Sequence, residues 1–411
     1  MSIPIPEKRI AEFEKMGMGM FVHWGLYSQL NRGEWIYERG EGMEFSEYKN
    51  LKDTFTADEF DAEDLVLTAK NSGCKYIVLT TKHHEGFCLY DTKGLNDFDV
   101  MSTPCGRDLI KEYTDACRKH GIKPFFYHAT LDWYKGGPDC NFEEFLEYLR
   151  KNVEILCTNY GEIGGFWFDG NSSRPDADWQ VEKMYKIIRK YQPEAMIINN
   201  TGMSKMGYIG SDEIDSVTYE QGRPKPMNRE GMKKYVAAEM CETLNDHWGW
   251  AIDFNYKSPA KIIENLCKCR KVGANYLINI GPHGQGKIDP FQKEFLLLLG
   301  KWMEVFGEAI YEGKPYITNS VGEHFMLKGN KKLYIFFVQP GVEREEMVSI
   351  NSHYKGAYAF TGVKDKIKGI RWMDTGKEFE FVQNGDLLAV DFSGQPYGLS
   401  YAVRVAEAEI E

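Results

Sequence analysis

The 411-residue sequence has no run of about 18 apolar residues, the length that a membrane-spanning helix requires. Its opening stretch, MSIPIPEKRIAEFEKMG, also lacks the apolar core of a secretion signal. We therefore expect a protein without a membrane partner and with a cytoplasmic location.

Cysteine occurs nine times, but its spacing fits neither a disulfide framework nor a zinc site. The count is odd, and Cys74, Cys88 and Cys157 lie within apolar runs. Cys267 and Cys269 have one residue between them, whereas zinc-binding pairs usually have two to four. The pattern predicts reduced thiols in a reducing compartment.

Positively charged residues are fewer than negatively charged ones. Lys and Arg total 50 against 61 Asp and Glu, which gives a net charge of -11 and argues against a nucleic-acid partner. The sequence lacks the Gly-x-Ser-x-Gly elbow, the P-loop, a complete Gly-x-Gly-x-x-Gly and the His-Glu-x-x-His motif. If the protein is an enzyme, we therefore predict that it needs no cofactor and no metal ion.

What the sequence does contain, from about residue 17 to residue 307, is a regular alternation of short apolar runs and amphipathic segments. The eight predicted strands are Met18–His23, Tyr76–Thr81, Lys123–Tyr127, Gly165–Asp169, Met196–Asn199, Ser216–Tyr219, Tyr235–Glu239 and Asn275–Ile280. The predicted helices are Ala57–Ser72, Leu109–His120, Phe142–Cys157, Gln180–Tyr191, Ser258–Lys271 and Pro290–Phe306. Eight strand–helix repeats predict an α/β fold with a TIM-type (β/α)8 barrel.

After about residue 313 the pattern changes to short strands and hairpin turns. The predicted strands are Leu333–Val338, Met347–Ile350, Gly369–Met373, Phe379–Val382, Leu387–Phe392 and Tyr401–Val405. Asn384-Gly385-Asp386 is typical of a tight hairpin turn. We predict a catalytic barrel domain over residues 1–312 and a small antiparallel β-sandwich domain over residues 313–411.

Polar and aromatic side chains follow several of the predicted barrel strands, at the end where TIM-type barrels carry their active sites. These strand ends read His23-Trp24-Gly25, Lys82-His83-His84-Glu85, Tyr127-His128, Trp167-Phe168-Asp169-Gly170 and Tyr219-Glu220. Asp169 follows an apolar run that would bury it, and buried carboxylates are uncommon without a partner or a role. On a regular strand His83 and His84 would point to opposite faces, unless the chain bends there.

Two carboxylates beside histidine and aromatic side chains favour glycoside hydrolysis, in which one carboxylate attacks the sugar and the other transfers protons. A metal-dependent hydrolase is the rival interpretation, because His23, His83, His84 and Asp169 are all potential ligands. A sugar-binding protein without catalysis is a second alternative, although it would not require Asp169.

The motifs resemble those of the α-L-fucosidases of glycoside hydrolase family 29. The similar segments are Met20-Phe21-Val22-His23-Trp24-Gly25, Gly33-Glu34-Trp35, Thr80-Thr81-Lys82-His83-His84-Glu85-Gly86-Phe87, Arg107-Asp108, Phe166-Trp167-Phe168-Asp169-Gly170, Trp248-Gly249-Trp250 and Asn279-Ile280-Gly281-Pro282. They run in order along the predicted barrel, and the following β domain is also a feature of the family.

The resemblance implies an exo-acting enzyme that releases α-L-fucose from fucosylated oligosaccharides or glycoconjugates with retention of configuration. Asp169 is then the expected nucleophile. The expected ligands of the fucose hydroxyls are His23, Glu34, Trp35, His83, His84 and Tyr127. Trp167 is expected at the site beside the nucleophile, and Phe21 and Trp248 are expected to contact the methyl group of this 6-deoxy sugar. A homo-oligomer is compatible with the sequence.

Two glutamates are candidates for the acid/base. Glu220 in Thr218-Tyr219-Glu220 resembles the family's Thr-x-Glu element and is the first choice. Glu239 matches a second family glutamate, but it lies among small apolar residues and is alternatively a buried hydrogen-bonding group that holds the loop of Trp248. One departure is Thr201 after the Asn199-Asn200 pair, where many relatives carry Arg, so a sugar or leaving-group contact of the family is expected to differ here.

Overall fold

The computed structural model describes residues 2–40, 42–137, 139–338, 342–344, 349–352, 357–392 and 401–411. Packing divides the chain into two compact units, one formed by residues 1–256 and 275–297 and the other by residues 257–274 and 298–411. The second unit thus includes helical segments as well as the C-terminal strands. The predicted division at residue 312 stays a prediction.

Eight parallel strands form a closed barrel in the order of the sequence. They are β1 (Met18–Val22), β2 (Tyr76–Lys82), β3 (Lys123–Ala129), β4 (Gly165–Asp169), β5 (Met196–Asn199), β6 (Ser216–Glu220), β7 (Ala237–Thr243) and β8 (Asn275–Ile280). Strand β8 closes the barrel on β1, with Gly19 opposite Leu277. Nearly all of their residues are buried, which explains why the strands read as continuous apolar runs.

Nine α-helices occur in the described residues. They are α1 (Lys8–Met16), α2 (Ile36–Arg39), α3 (Phe45–Lys49), α4 (Ala62–Asn71), α5 (Leu109–His120), α6 (Phe142–Asn159), α7 (Val181–Tyr191), α8 (Pro259–Lys271) and α9 (Pro290–Glu312). Capping side chains fix several starts: Asp108 accepts from the amide of Lys111 at α5, and Asn141 accepts from that of Glu144 at α6. None of these helices is long and apolar enough to cross a membrane.

Several predicted boundaries shift in the structure, among them the starts of α4 and β7. Helix α4 begins at Ala62 rather than Ala57, because Asp61 caps it and Ala57 has a φ of 49°, outside the helical region. Strand β7 begins at Ala237 rather than Tyr235 and continues to Thr243. Glu239 consequently lies inside the strand and not at its end, where the sequence had placed it.

The C-terminal strands form antiparallel sheets, which confirms the predicted β-sandwich that follows the barrel in the sequence. The strands are β9 (Lys314–Tyr316), β10 (Asn319–Ser320), β11 (Phe325–Lys328), β12 (Lys332–Val338), β13 (Val342–Arg344), β14 (Ser349–Ser352), β15 (Ala357–Thr361), β16 (Ile367–Trp372), β17 (Phe381–Asn384), β18 (Leu387–Asp391) and β19 (Val403–Ile410). A four-stranded sheet (β10-β15-β18-β17) and a five-stranded sheet (β16-β19-β12-β11-β9) share one apolar core, which includes Phe337, Phe360 and Trp372. Of the predicted strand Met347–Ile350, residues 347 and 348 lie outside the described residues.

Candidate active site

Asp169 is the last residue of β4, and the chain turns sharply after it. Gly170 has a φ of 102°, and a Cβ there would lie 2.6 Å from the backbone nitrogen of Leu131. A glycine is therefore required directly after the carboxylate. The turn leaves the Asp169 side chain 22% exposed at the end of an otherwise buried strand, so the carboxylate can meet a ligand.

Three side chains surround the Asp169 carboxylate. The Tyr127 hydroxyl donates to Oδ2 over 2.9 Å, and the Asn200 amide nitrogen donates to Oδ1 over 3.2 Å. His84 Nε2 lies 3.5 Å from Oδ2. Burial raises the pKa of Asp169, while the hydrogen bonds from Tyr127 and Asn200 oppose that rise by stabilising the charged form.

Glu220 ends strand β6 and lies close to Asp169. The same Asn200 amide nitrogen that donates to Asp169 also donates to Glu220 Oε2, over 2.7 Å. Asp169 Oδ1 and Glu220 Oε2 are therefore no farther apart than the sum of these two distances. Burial, and then the charge of Asp169, raises the pKa of Glu220.

Asn200 is a site residue that the sequence reasoning missed. It is buried directly after β5, and its side-chain oxygen accepts from the Thr218 hydroxyl over 2.8 Å. That bond turns the amide nitrogen toward the two carboxylates. The signal in the sequence is the polar pair Asn199-Asn200 at the end of an apolar strand.

Three histidines predicted at the site lie together, and their rings are neutral. Burial lowers the pKa of His23 to about 3 and that of His84 to about 3, and it also lowers the pKa of His83. The His23 ring is held by Asn279, with Nδ1 and Oδ1 2.7 Å apart. His83 Nδ1 is buried and has no hydrogen-bond partner within the described residues.

On a regular strand His83 and His84 would point to opposite faces, but the chain is not a regular strand at these residues. Strand β2 ends at Lys82, and the amide of Gly86 donates to the carbonyl of His83 over 3.0 Å in a turn. The bend breaks the strand alternation, so the rings of His83 and His84 pack with their centroids 4.2 Å apart. Both rings then lie near Asp169 or its hydrogen-bond donor Tyr127.

Glu34 and Trp35 come from the loop after β1. Glu34 Oε2 accepts from the backbone amides of Trp248, over 3.0 Å, and Gly249, over 2.8 Å, so this buried carboxylate holds the Trp248 loop. The Trp35 ring lies 5.1 Å from that of His84. The structure thus brings Trp35 to the histidines and gives Glu34 a supporting contact in addition to its predicted role with the sugar.

Aromatic rings form an apolar surface on one side of the site. The ring of Phe21 lies 5.8 Å from that of Trp248, 5.0 Å from that of Trp167 and 4.4 Å from that of His23, measured between centroids. The predicted methyl-binding pair, Phe21 and Trp248, is therefore in contact and beside a predicted hydroxyl ligand.

Glu239 lies in the barrel interior. Its carboxylate accepts from the Trp167 indole nitrogen over 2.9 Å and from the Tyr76 hydroxyl. Burial raises the pKa of Glu239 to about 7, against the effect of those two bonds. Our suggestion that Glu239 holds the Trp248 loop finds no support in these contacts, because Glu239 holds Trp167 and the loop is held by Glu34.

Within the described residues, no group of three or more His, Cys, Asp or Glu side chains is arranged to hold a metal ion. His23, His83, His84 and Asp169, the ligands that the metal interpretation needs, thus form no such group. Two neighbouring carboxylates with histidine and aromatic side chains at the C-terminal end of a (β/α)8 barrel define the site of a glycoside hydrolase.

The family follows from comparison with known proteins. A family model described as α-L-fucosidase matches residues 6–308. The chain therefore belongs to the α-L-fucosidase family, glycoside hydrolase family 29, as its motifs predicted.

Individual relatives agree. Human tissue α-L-fucosidase is 28% identical over 378 residues, which cover 82% of this chain and 77% of that protein. The structure of α-L-fucosidase isoenzyme 1 from Paenibacillus thiaminolyticus aligns with a TM-score of 0.83 and 30% identity over 98% of this chain and 99% of that one. A family 29 fucosidase from Bacteroides thetaiotaomicron, trapped as a covalent intermediate with 2-fluoro-fucosyl fluoride, shares the fold, with a TM-score of 0.80 and 23% identity over 100% and 98% of the two chains.

Proposed function

We propose that this enzyme releases terminal α-L-fucose by double displacement with retention of configuration, using Asp169 as nucleophile and Glu220 as acid/base. The observation that carries the proposal is the Asn200 amide, which donates to both carboxylates and keeps them close. Retaining enzymes need such a short separation, about 5–5.5 Å, because one carboxylate attacks the anomeric carbon directly.

The pKa shifts support these two roles. Burial and the charge of Asp169 raise the pKa of Glu220, as suits a proton donor, whereas the hydrogen bonds from Tyr127 and Asn200 favour the ionised form of Asp169. In the first step an Asp169 oxygen bonds to the anomeric carbon as the glycosidic bond breaks, and Glu220 donates its proton to the departing oxygen. In the second step ionised Glu220 takes a proton from water, whose oxygen displaces Asp169 and releases fucose.

The neutral histidines and the aromatic surface explain how fucose would be recognised. A neutral imidazole offers one donor and one acceptor, which suits sugar hydroxyls. The contacting rings of Phe21 and Trp248 supply an apolar surface for the methyl group, as a 6-deoxy sugar requires. The covalent intermediate trapped in the Bacteroides enzyme is that protein's chemistry, and it agrees with the mechanism proposed here.

The test is hydrolysis of 4-nitrophenyl α-L-fucoside beside a panel of other aryl glycosides, with and without a chelator. We expect activity on the fucoside alone, unchanged by the chelator, and proton NMR should show α-fucose as the first product. Preference for another sugar, loss of activity with the chelator, or β-fucose as the first product would each defeat the corresponding part of the proposal.

We also propose that the enzyme acts in a reducing, cytoplasmic compartment on imported fucosylated oligosaccharides. All nine cysteines are free thiols, and seven of them are buried, which is compatible with a reducing environment. Activity measured in the medium of intact cells would contradict this location.

A further inference from the structure

Lys82 and Asp132 form a buried ion pair next to residues 83–86, the turn that carries His83 and His84. Lys82 is the last residue of β2, and its Nζ lies 2.8 Å from Asp132 Oδ2. Both side chains are 0% exposed. Burying two charges costs free energy, and a well-packed apolar pair is often equally stable. Stability alone therefore does not account for this pair.

Asp132 fixes the loop that follows β3 to the end of β2. While Oδ2 accepts from Lys82, Oδ1 accepts from the backbone amide of Tyr134 over 2.9 Å and from that of Lys135 over 2.7 Å. The carbonyl of Asp132 accepts from the amide of Gly136 over 2.9 Å. One carboxylate thus shapes the loop through one oxygen and joins it to Lys82 through the other.

This loop contacts the histidine-bearing turn at two points. The amide of Trp133 donates to the carbonyl of His84 over 2.7 Å. Gly86 has a φ of 88°, and a Cβ there would lie 2.5 Å from Asp132 Oδ1, so the turn approaches the carboxylate closely because residue 86 has no side chain. The Trp133 ring also lies 6.1 Å from that of His84 and 5.7 Å from that of Trp35. A shift of Asp132 would therefore move the neighbours of His84.

His84 connects this pair to the reacting groups, because its Nε2 lies 3.5 Å from Asp169 Oδ2. The two charges also act on the imidazole. Burial lowers the pKa of His84, the positive charge of Lys82 lowers it further, and the negative charge of Asp132 opposes both. The ring stays neutral, which is the form that offers one donor and one acceptor.

We propose that Lys82 and Asp132 are positioning residues for the reaction: their ion pair holds the turn of residues 83–86 so that the His84 ring keeps its place beside Asp169. The inference rests on the proposed function, since it supposes that His84 binds fucose beside the nucleophile. Because the pair acts through His84, breaking it should lower the rate in the wild type and should matter little once the His84 ring is gone.

A double-mutant cycle tests this dependence. The measurement is kcat/KM for 4-nitrophenyl α-L-fucoside in the wild type, Asp132→Asn, His84→Ala and the variant with both changes. Asp132→Asn keeps the shape but removes the charge that holds Lys82, and it should lower kcat/KM about tenfold by misplacing His84. In the His84→Ala background the same change should lower kcat/KM by less than about twofold, whereas independent effects would multiply.

Asp374→Asn is the matched control, because Asp374 also forms a buried ion pair. Its carboxylate lies 2.9 Å from Arg404 Nη2, with side chains 3% and 2% exposed, in the C-terminal β region. This substitution should lower the melting temperature but leave kcat/KM at the wild-type value. Combined with His84→Ala, it should leave kcat/KM within about twofold of that of His84→Ala alone.

Thermal melting shows whether each variant is folded. If Asp132→Asn does not fold, Lys82→Gln combined with Asp132→Asn takes its place in the cycle, since that combination leaves no buried charge unpaired. The inference is wrong if neither form folds, if breaking the pair leaves kcat/KM unchanged, or if its effect is as large without the His84 ring as with it. In those cases the proposed function stands. If the wild type does not hydrolyse the fucoside, the proposed function fails, and the inference fails with it.

Discussion

The indole nitrogen of Trp167 donates a hydrogen bond to the carboxylate of Glu239, 2.9 Å away, inside the barrel. The Trp167 ring stacks on Tyr127, with centroids 5.7 Å apart, and the Tyr127 hydroxyl donates to Asp169. Two side chains, Trp167 and Tyr127, therefore link Glu239 to Asp169. This arrangement suits a positioning residue and not a group that transfers a proton to the substrate.

We first predict that Glu239→Gln lowers kcat about tenfold, to a similar extent for good and poor leaving groups. The variant keeps an oxygen that can accept from the Trp167 indole. It places an amide nitrogen toward the Tyr76 hydroxyl, which is itself a donor, so the side chains of residue 239 and Trp167 should shift slightly and misplace the groups beside Asp169. The measurement is kcat for a series of aryl fucosides with leaving groups of different pKa. A loss confined to poor leaving groups would instead give Glu239 the role of acid/base.

The second prediction concerns stability at the same residue. The pKa of Glu239 is about 7 in the folded protein, against an ordinary value of 4.5, so the folded state holds the proton more tightly. Its contribution to the free energy of unfolding is complete at low pH and is lost as the pH rises through about 7. Urea unfolding measured from about pH 5 to about pH 8 should show that the free energy of unfolding falls more steeply with pH for the wild type than for Glu239→Gln. The difference in slope should be up to about 1.4 kcal/mol per pH unit. Equal slopes would contradict the shift.

Glu220→Ala provides the third prediction. Without the proton donor, hydrolysis of fucosides with poor leaving groups should fall far more than that of activated aryl fucosides. Azide should restore turnover of the activated substrates, because it needs no general base, and should yield a fucosyl azide of retained configuration. The matched variant Glu239→Ala should show neither effect. If the two variants behave the other way round, the roles of the two glutamates must be exchanged.

The fourth prediction is the loss of covalent catalysis in Asp169→Asn. The substitution keeps the shape but removes the charge, so the rate should fall at least about a thousandfold. A 2-fluoro-fucosyl reagent should label the wild-type peptide that contains Trp167-Phe168-Asp169. Asp176→Asn, an exposed position in the loop that follows β4, is the control and should retain the wild-type rate. A label on any other peptide would reassign the nucleophile.

The fold could be predicted because its signals are local. A strand buried on both faces reads as one apolar run, and capping residues such as Asp108 mark helix starts. The position of Asp169 followed for the same reason, since a carboxylate directly after an apolar strand stands out. The role of Asn200 could not be predicted from the sequence, because it depends on the distances from its side chain to Asp169 on β4 and Glu220 on β6. The position of Glu239 was misjudged because small apolar residues do not mark where a strand ends.

The last prediction concerns the amide that joins the two carboxylates. Asn200 donates to Asp169 and to Glu220, and each bond favours the ionised form of its acceptor. Asn200→Ala removes both bonds, so the pKa of each carboxyl should rise further above its ordinary value.

Activity requires ionised Asp169 and protonated Glu220, so the pH profile of kcat/KM should be bell-shaped. Both limbs of that profile should therefore move to higher pH in Asn200→Ala, and the maximum should fall about tenfold because the carboxylates lose their fixed spacing. Asn152→Ala is the control, since Asn152 is a fully buried asparagine of α6 that bonds the Tyr90 hydroxyl and touches neither carboxylate. Its profile should keep the wild-type limbs. A profile of Asn200→Ala in which only one limb moves would show that the amide acts on one carboxylate alone, and unchanged limbs would show that it acts on neither.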